Sequence, residues 1–330
     1  MSGVIKVLSI DGGGIRGIIP AHFLAEIERR TGKPSSELFD LIVGTSTGGI
    51  LALGLTVPGP DGKPAHSAQD LIALYSSEGS NIFSRSVWHK IRAVGSVLEE
   101  KYPASGVESV LKKYLGEQTR LKDALVHVLI PAYEIEDRQP WFFSSRDARE
   151  RQDHDFPMWE VARATSAAPT YFEPARLDAK NDRGYWALVD GGVFANNPAM
   201  CGLVEATYQY RQEHGEAPDV VLVSLGTGEL TRPIRDDDAR EWGLVGWARP
   251  VMSVVFDGVS KTVEFQAREL CKATEGTPER FFRFQVSLVN YGNDDMDDAS
   301  GTNLLALEKL ADDLIAEKSD DFASLCSQLV

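Results

Sequence analysis

The segment Gly44-Thr45-Ser46-Thr47-Gly48 constrains this chain more than any other. Ahead of it the apolar run Leu41-Ile42-Val43 reads as a buried strand, and behind it Ile50-Leu51-Ala52-Leu53 reads as a helix. Gly-x-Ser-x-Gly at a strand-to-helix junction is a nucleophile elbow. The serine takes a strained turn, the glycines let neighbouring backbone approach, and the helix aims its N-terminal amides at the oxygen. A glycine-rich turn with no chemistry has the same letters, so the weight of the motif depends on what else the chain supplies.

The same stretch opens the longest uncharged run, Leu41 to Pro60, which Thr45, Ser46, Thr47 and several glycines interrupt. It reads as buried core rather than a membrane span. At 330 residues and 43% hydrophobic content, the chain can fill a large α/β core. Cys201, Cys271 and Cys326 are odd in number and widely spaced, which gives no disulfide framework and fits a reducing, cytoplasmic compartment. The start, Met1 to Val7, has no basic leader and passes straight into a strand, so no secretory signal is expected. A net charge of −15 argues against a nucleic-acid polymer as partner and against simple adsorption to anionic lipid, which leaves any membrane contact local.

Along the chain, Val4 to Ile10 forms an apolar strand that runs into Asp11-Gly12-Gly13-Gly14-Ile15-Arg16-Gly17. A helix follows with Ile18, Ile19, Phe23, Leu24 and Ile27 on one face and Gly32 as its stop. Gly12, Gly14 and Gly17 also fit the dinucleotide fingerprint, but that reading needs an acidic residue at the end of the next strand. Asp40 precedes that strand, and Gly44-Thr45-Ser46 occupies its end. Consecutive glycines serve better as an oxyanion hole, with bare backbone N–H groups facing the oxygen that turns negative in acyl transfer.

After the elbow, a surface loop (Pro58 to Pro64) leads to helices near Ala68–Ser77 and Gly106–Leu115, a helical insertion spanning about 60–120. Between them Phe83, Val87, Trp88 and Ile91 mix with Arg85, Lys90 and Arg92, a pattern that suits a lid or an ordinary packed insertion. Strands are expected at Val126–Ile135, Pro140–Ser145, Tyr185–Val193, Val220–Leu225 and Phe281–Leu288. Helices are expected at Trp159–Thr165, from Asn196 to about Gln212, at Trp242–Cys271, and around Leu304 to Leu314. The alternation predicts an α/β fold with a mainly parallel central sheet flanked by helices. The strand ending in Asp190-Gly191-Gly192 delivers a carboxylate to the C-terminal edge of that sheet, where α/β proteins place ligand chemistry.

A serine nucleophile needs a base. The order Ser, Asp, His leaves only His214 after Asp190, in a polar helix end that the helix dipole explains. A dyad in which Asp190 itself takes the serine proton is the alternative, and it requires a desolvated pocket that raises the carboxyl. Asp236-Asp237-Asp238 and Asn293 to Asp298 lack EF-hand spacing and read as solvated acidic loops, so no metal is expected.

Three motifs in one order, Asp11 to Gly17, Gly44 to Gly48 and Asp190-Gly191-Gly192, resemble the patatin-like phospholipase family. Ala164 to Phe172, Val193 to Pro198 and Ser224 to Gly228 support the resemblance, which covers about 4–290. It implies a patatin-like three-layer domain over residues 1–290, with an acidic loop and helix (291–330) packing on it. Catalytic Ser46 and Asp190 are implied, with an oxyanion hole from Gly12, Gly13 and Gly14 beside Arg16, and Gly17, Gly44, Gly48, Gly191 and Gly192 in support. The implied activity is a phospholipase A type lipid acyl hydrolase acting on membrane phospholipid, with no cofactor and no calcium. The family also includes bacterial antiphage phospholipases switched on by cyclic dinucleotides, and the chain is similar to those. A cyclic dinucleotide activator, an antiviral role and cytoplasmic action peripheral to the inner membrane are therefore expectations, and a homo-oligomer is compatible with them. A soluble esterase or thioesterase would use the same dyad, and a nucleotide-binding module would keep the glycine loops without it.

Overall fold

Parallel pairing of apolar strands builds the centre of the sheet. The computed structural model describes residues 3–83, 104–169, 171–181, 183–229, 233–247, 250–273, 276–289 and 296–330. Strand β1 (Val4–Ile10) lies between β2 (Leu41–Gly44) and β7 (Asp219–Leu225), and β8 (Phe281–Phe284) lies beyond β7. The register aligns Ile10 with both Gly44 and Leu225, and Leu225 with Phe284. The glycine loop after β1, the elbow after β2 and Gly226-Thr227-Gly228 after β7 therefore leave the sheet at one level.

Strand β3 (His127–Glu134) turns this alignment into a site. Its pairing with β2 is parallel over Leu41–Val43 and ends at Leu129. Along the opposite edge it pairs antiparallel with β4 (Gln139–Ser144). Strand β6 (Tyr185–Asp190) pairs antiparallel with β3 from Glu134 to Ala132, and β5 (Ala175–Asp178) lies outside it. Because β4 already occupies the other edge over those residues, β2 and β6 share one edge of β3 and run toward each other. They stop opposite Leu129 and Ala132. The strand carrying Asp190 was expected in a parallel sheet. It is antiparallel, and it still ends level with the elbow because β3 outruns β2.

Alternation along the strands sorts the core into two layers. Leu8, Ile10, Ile42, Val128, Ile130 and Val223 face α1 (Ile18–Thr31), the short α2 (Ser35–Leu38), α3 (Thr47–Gly54), α4 (Ala68–Phe83) and α5 (Ala104–Leu115). Short α6 (Ser145–Glu150) and α7 (Met158–Thr165) follow on that side. The opposite face, with Val7, Leu41, Val43, Leu129 and Leu222, lies under α9 (Ala199–His214), which follows short α8 (Gly192–Ala195). It is completed by α12 (Pro250–Leu270) after the short α10 (Asp236–Arg240) and α11 (Leu244–Trp247). The expected helical region over about Trp242–Cys271 is helical over Leu244–Trp247 and Pro250–Leu270, with 248–249 outside the described residues, and the expected strand to Leu288 ends at Phe284. The candidate lid lies outside the described residues from Ser84 to Arg92.

Two closing helices, α13 (Gly301–Glu317) and α14 (Ser319–Leu329), pack on α1. Phe322 of α14 is fully buried, stacked 4.1 Å from Phe284 and tilted 6.1 Å from Phe23. It ties the C-terminal helices to the sheet. Phe322→Ala should lower unfolding stability by about 3–5 kcal/mol in urea titration, because it empties a fully buried aromatic site. Leu305→Ala on the solvent face of α13, where the side chain is 68% exposed, should change it by under about 0.5 kcal/mol.

Candidate active site

The end-to-end approach of β2 and β6 brings Ser46 and Asp190 together. The Ser46 side chain lies close enough to the Asp190 carboxylate to favour its ionised form, and the Gly192 N–H donates to Asp190 Oδ1 at 2.7 Å. Asp190 is 4% exposed. Burial pushes its carboxyl up from 3.8 to about 6, against the lowering effect of those two neighbours.

Ser46 sits at φ 57 and ψ −122, left-handed backbone that few non-glycine residues adopt. Such a conformation costs about 1–3 kcal/mol and persists only where neighbours hold it. The Ser46 N–H donates to Thr165 Oγ1 at 3.0 Å, and that hydroxyl donates to the Pro131 carbonyl at 2.6 Å. Pro131 lies on β3 between the ends of β2 and β6, so one hydroxyl bridges the elbow to the strand that positions Asp190. The Thr45 hydroxyl donates to the Ala195 carbonyl at 2.6 Å. A side chain on Gly44 would collide with the Gly48 carbonyl, and one on Gly48 with the Ile10 carbonyl. Both elbow glycines are therefore required by close backbone approach.

The glycine loop runs beside this serine, and a Cβ built on Gly12 would lie 3.3 Å from Ser46 Cβ. The Gly12 N–H is already engaged by the Asn196 carbonyl at 2.9 Å, which removes Gly12 from the expected oxyanion donors. Among the described residues the Gly13 and Gly14 N–H groups have no hydrogen-bond partner. Gly14 has φ 59 and is covered by Met296, whose carbonyl accepts the Ile15 N–H at 2.9 Å. Arg16 is buried and its Nε–H donates to the Gly13 carbonyl at 3.4 Å, so it braces the loop from behind. Gly17 lies against the hydrogen-bonded pair Thr47 and Tyr75, and Gly191 against the Pro131 carbonyl. His214 lies at the far end of α9, stacked on Tyr210.

Three supports were not singled out from the sequence. Thr227 Oγ1 donates to the Gly12 carbonyl at 2.6 Å, and Asn196 holds the Gly12 amide. Both lie in the segments that carry the resemblance, whose letters do not say what each side chain touches. The third, Arg283, is 5% exposed and donates to Asp11 Oδ2 at 2.6 Å and to Ser224 Oγ at 2.9 Å. Its only signal was one charge inside the apolar run Phe281-Phe282-Arg283-Phe284. Burial raises the Asp11 carboxyl and Arg283 pulls it back. The pair fixes the root of the glycine loop. Among the described residues, no group of three or more acidic, histidine or cysteine side chains is placed to hold a metal.

Arg283→Met should destabilise the fold by about 3–5 kcal/mol, because it strands a buried carboxylate, and adding Asp11→Asn should recover most of that loss in urea denaturation. Asp190 runs the other way. Its folded pKa of about 6 lies above 3.8, so its contribution to stability is full at low pH and is lost as pH rises through 6. Asp190→Asn should therefore be more stable than wild type at pH 8, by up to about 3 kcal/mol, with the gap closing toward pH 4.

The patatin-like phospholipase family profile matches residues 8–201. Patatin-like protein 2 of Oryza sativa subsp. indica is 30% identical, over 94% of this chain and 84% of its own. Patatin-like protein 4 of Arabidopsis thaliana is 29% identical, over 94% of this chain and 83% of its own. The solved structure of VipD from Legionella pneumophila covers 96% of this chain and 67% of its own, at 14% identity and a TM-score of 0.38, too slight a likeness to argue from. On the family match over more than half its length, this chain belongs to the patatin-like phospholipases and is a serine hydrolase of lipid acyl esters.

Proposed function

We propose that Ser46 and Asp190 are the catalytic dyad and that membrane glycerophospholipid is the substrate. The observation that carries this reading is the buried Asp190 carboxylate, with a pKa of about 6 and the Ser46 side chain as the neighbour that acts on it. A carboxyl at its usual value is a poor base at neutral pH, and raising it brings its basicity toward what the serine proton requires. Asp190 takes that proton as Ser46 Oγ attacks the ester carbonyl. The Gly13 and Gly14 amides hold the oxyanion, each donor lowering the barrier by about 3 kcal/mol. Asp190 passes the proton to the leaving alcohol, and water attacks the acyl-serine with Asp190 as base, releasing the fatty acid.

The reading extends to a cyclic dinucleotide as activator, antiviral defence as the setting, and cytoplasmic action at the inner membrane. These rest on the resemblance alone, and no residue is assigned to the nucleotide.

Fatty-acid release from phospholipid vesicles tests the dyad and the substrate together. Ser46→Ala and Asp190→Asn should each lower kcat by at least about a thousandfold. For wild type, kcat/KM should rise with a slope of one proton through about pH 6 and level off above it, because the free enzyme must hold Asp190 ionised. Wild type that spares vesicles and cleaves short soluble esters through Ser46 would leave the dyad and remove the phospholipid. A panel of cyclic dinucleotides in the same assay decides the switch: release unchanged by all of them removes it.

A further inference from the structure

Helix α12 is apolar on a face it does not bury. Val263 and Ala267 turn into the layer beneath it, as an amphipathic helix requires. Its outward stripe, Val251, Val254, Val255, Gly258, Thr262 and Phe265, repeats at helical spacing and is also without charge. Val251 is 41% exposed, Val254 45% and Phe265 67%. Just ahead of the helix, Trp247 is 38% exposed and meets Trp242 edge-on with ring centroids 5.2 Å apart. One exposed apolar side chain on a surface needs no explanation, whereas a contiguous stripe marks an interaction surface.

The position of this stripe limits what it can serve. α12 packs against α8, the helix that starts two residues after Asp190. Burial raises the Asp257 carboxyl on α12, and the charges of Lys261 and Arg16 pull it back. On α8 itself, Phe194 meets the exposed Phe142 edge-on at 5.8 Å. The helix after Asp190 therefore touches both α12 and an exposed aromatic side chain.

Charge limits the occupant further. The chain carries 49 acidic residues and a net charge of −15, yet Trp242 to Phe256 contains no Asp or Glu. An acidic side chain there would repel anionic headgroups. Among the described residues no helix is long and apolar enough to cross a membrane, so α12 can enter a bilayer only in its plane. Tryptophans at one end and valines along one face suit the boundary between headgroups and acyl chains.

We propose that the outward face of α12, led by Trp247, is the surface by which this enzyme docks on the lipid bilayer, resting on the phospholipid reading above. Docking there places the mouth of the Ser46 site at the headgroup level, so an acyl ester reaches the serine without leaving the bilayer completely.

The test uses the full chain with Val251, Val254 and Val255 all changed to Asp, and Leu305→Asp on α13 as a control from the opposite layer. Measurements are co-sedimentation with phosphatidylcholine–phosphatidylglycerol vesicles, fatty-acid release from them, hydrolysis of a soluble short-chain ester, and solution mass by light scattering. The triple variant should lose sedimentation and release by at least about tenfold, keep ester hydrolysis within about twofold and keep its mass. Leu305→Asp should match wild type in all four. Undiminished sedimentation and release by the triple variant overturns the docking surface and leaves the phospholipid reading standing. A parallel loss of ester hydrolysis overturns it too, as does a fall in mass, which would assign the face to a second copy of the chain. Wild type that cleaves the ester and spares vesicles removes both readings.

Discussion

Two strands that stop head to head along one edge of β3 organise the molecule. β2 arrives from below and ends opposite Leu129, and β6 arrives from above and ends opposite Ala132. The gap between them is filled by the elbow on one side and by Asp190 and Gly191 on the other. The Pro131 carbonyl lies in that gap and accepts the Thr165 hydroxyl, which in turn accepts the strained Ser46 amide. The serine is held by the sheet rather than by its own loop. Such a turn persists only where the surroundings over-determine it, and here β3 supplies the surroundings.

The same geometry sets the electrostatics. A carboxylate at an open sheet edge would be solvated and would keep its usual pKa near 4. Asp190 ends a strand that points into the sheet, so it is buried, and burial outweighs the lowering effect of Ser46 and Gly192. Asp11 is the contrast within one site. It is as deeply buried and its carboxyl is also raised, but Arg283 at 2.6 Å pulls it back. One carboxylate anchors the glycine loop through an ion pair, and the other, with no cation beside it among the described residues, gains basicity. Two acids at the ends of their strands take opposite roles because of what β8 does and does not bring near them.

Much of the site was legible in the sequence because its chemistry is local. Gly44 and Gly48 are there for backbone contacts around one strand-turn-helix unit, and the spacing of Ile18, Phe23, Leu24 and Ile27 marks the buried face of α1. What the sequence could not convey is pairing between distant segments. Nothing in Tyr185 to Asp190 says that the strand is antiparallel, and its apolar run serves either direction. The engagement of the Gly12 amide by Asn196 and the partnership of Arg283 with Asp11 depend on contacts far apart in the chain. The outward stripe of α12 was hidden for another reason. Its valines carry no mark in the sequence that tells an outward face from a buried one, and the structure leaves them uncovered.

The central claim is that burial has made Asp190 the base for Ser46, and covalent labelling reads it without any lipid. A fluorophosphonate probe should form one adduct, located on the Ser46 peptide by mass spectrometry, at a rate that climbs through about pH 6 in wild type. In Asp190→Asn that dependence should vanish and the rate should fall to a small residue. An adduct on another residue, or a labelling rate that keeps its pH dependence when Asp190 is asparagine, would contradict the account.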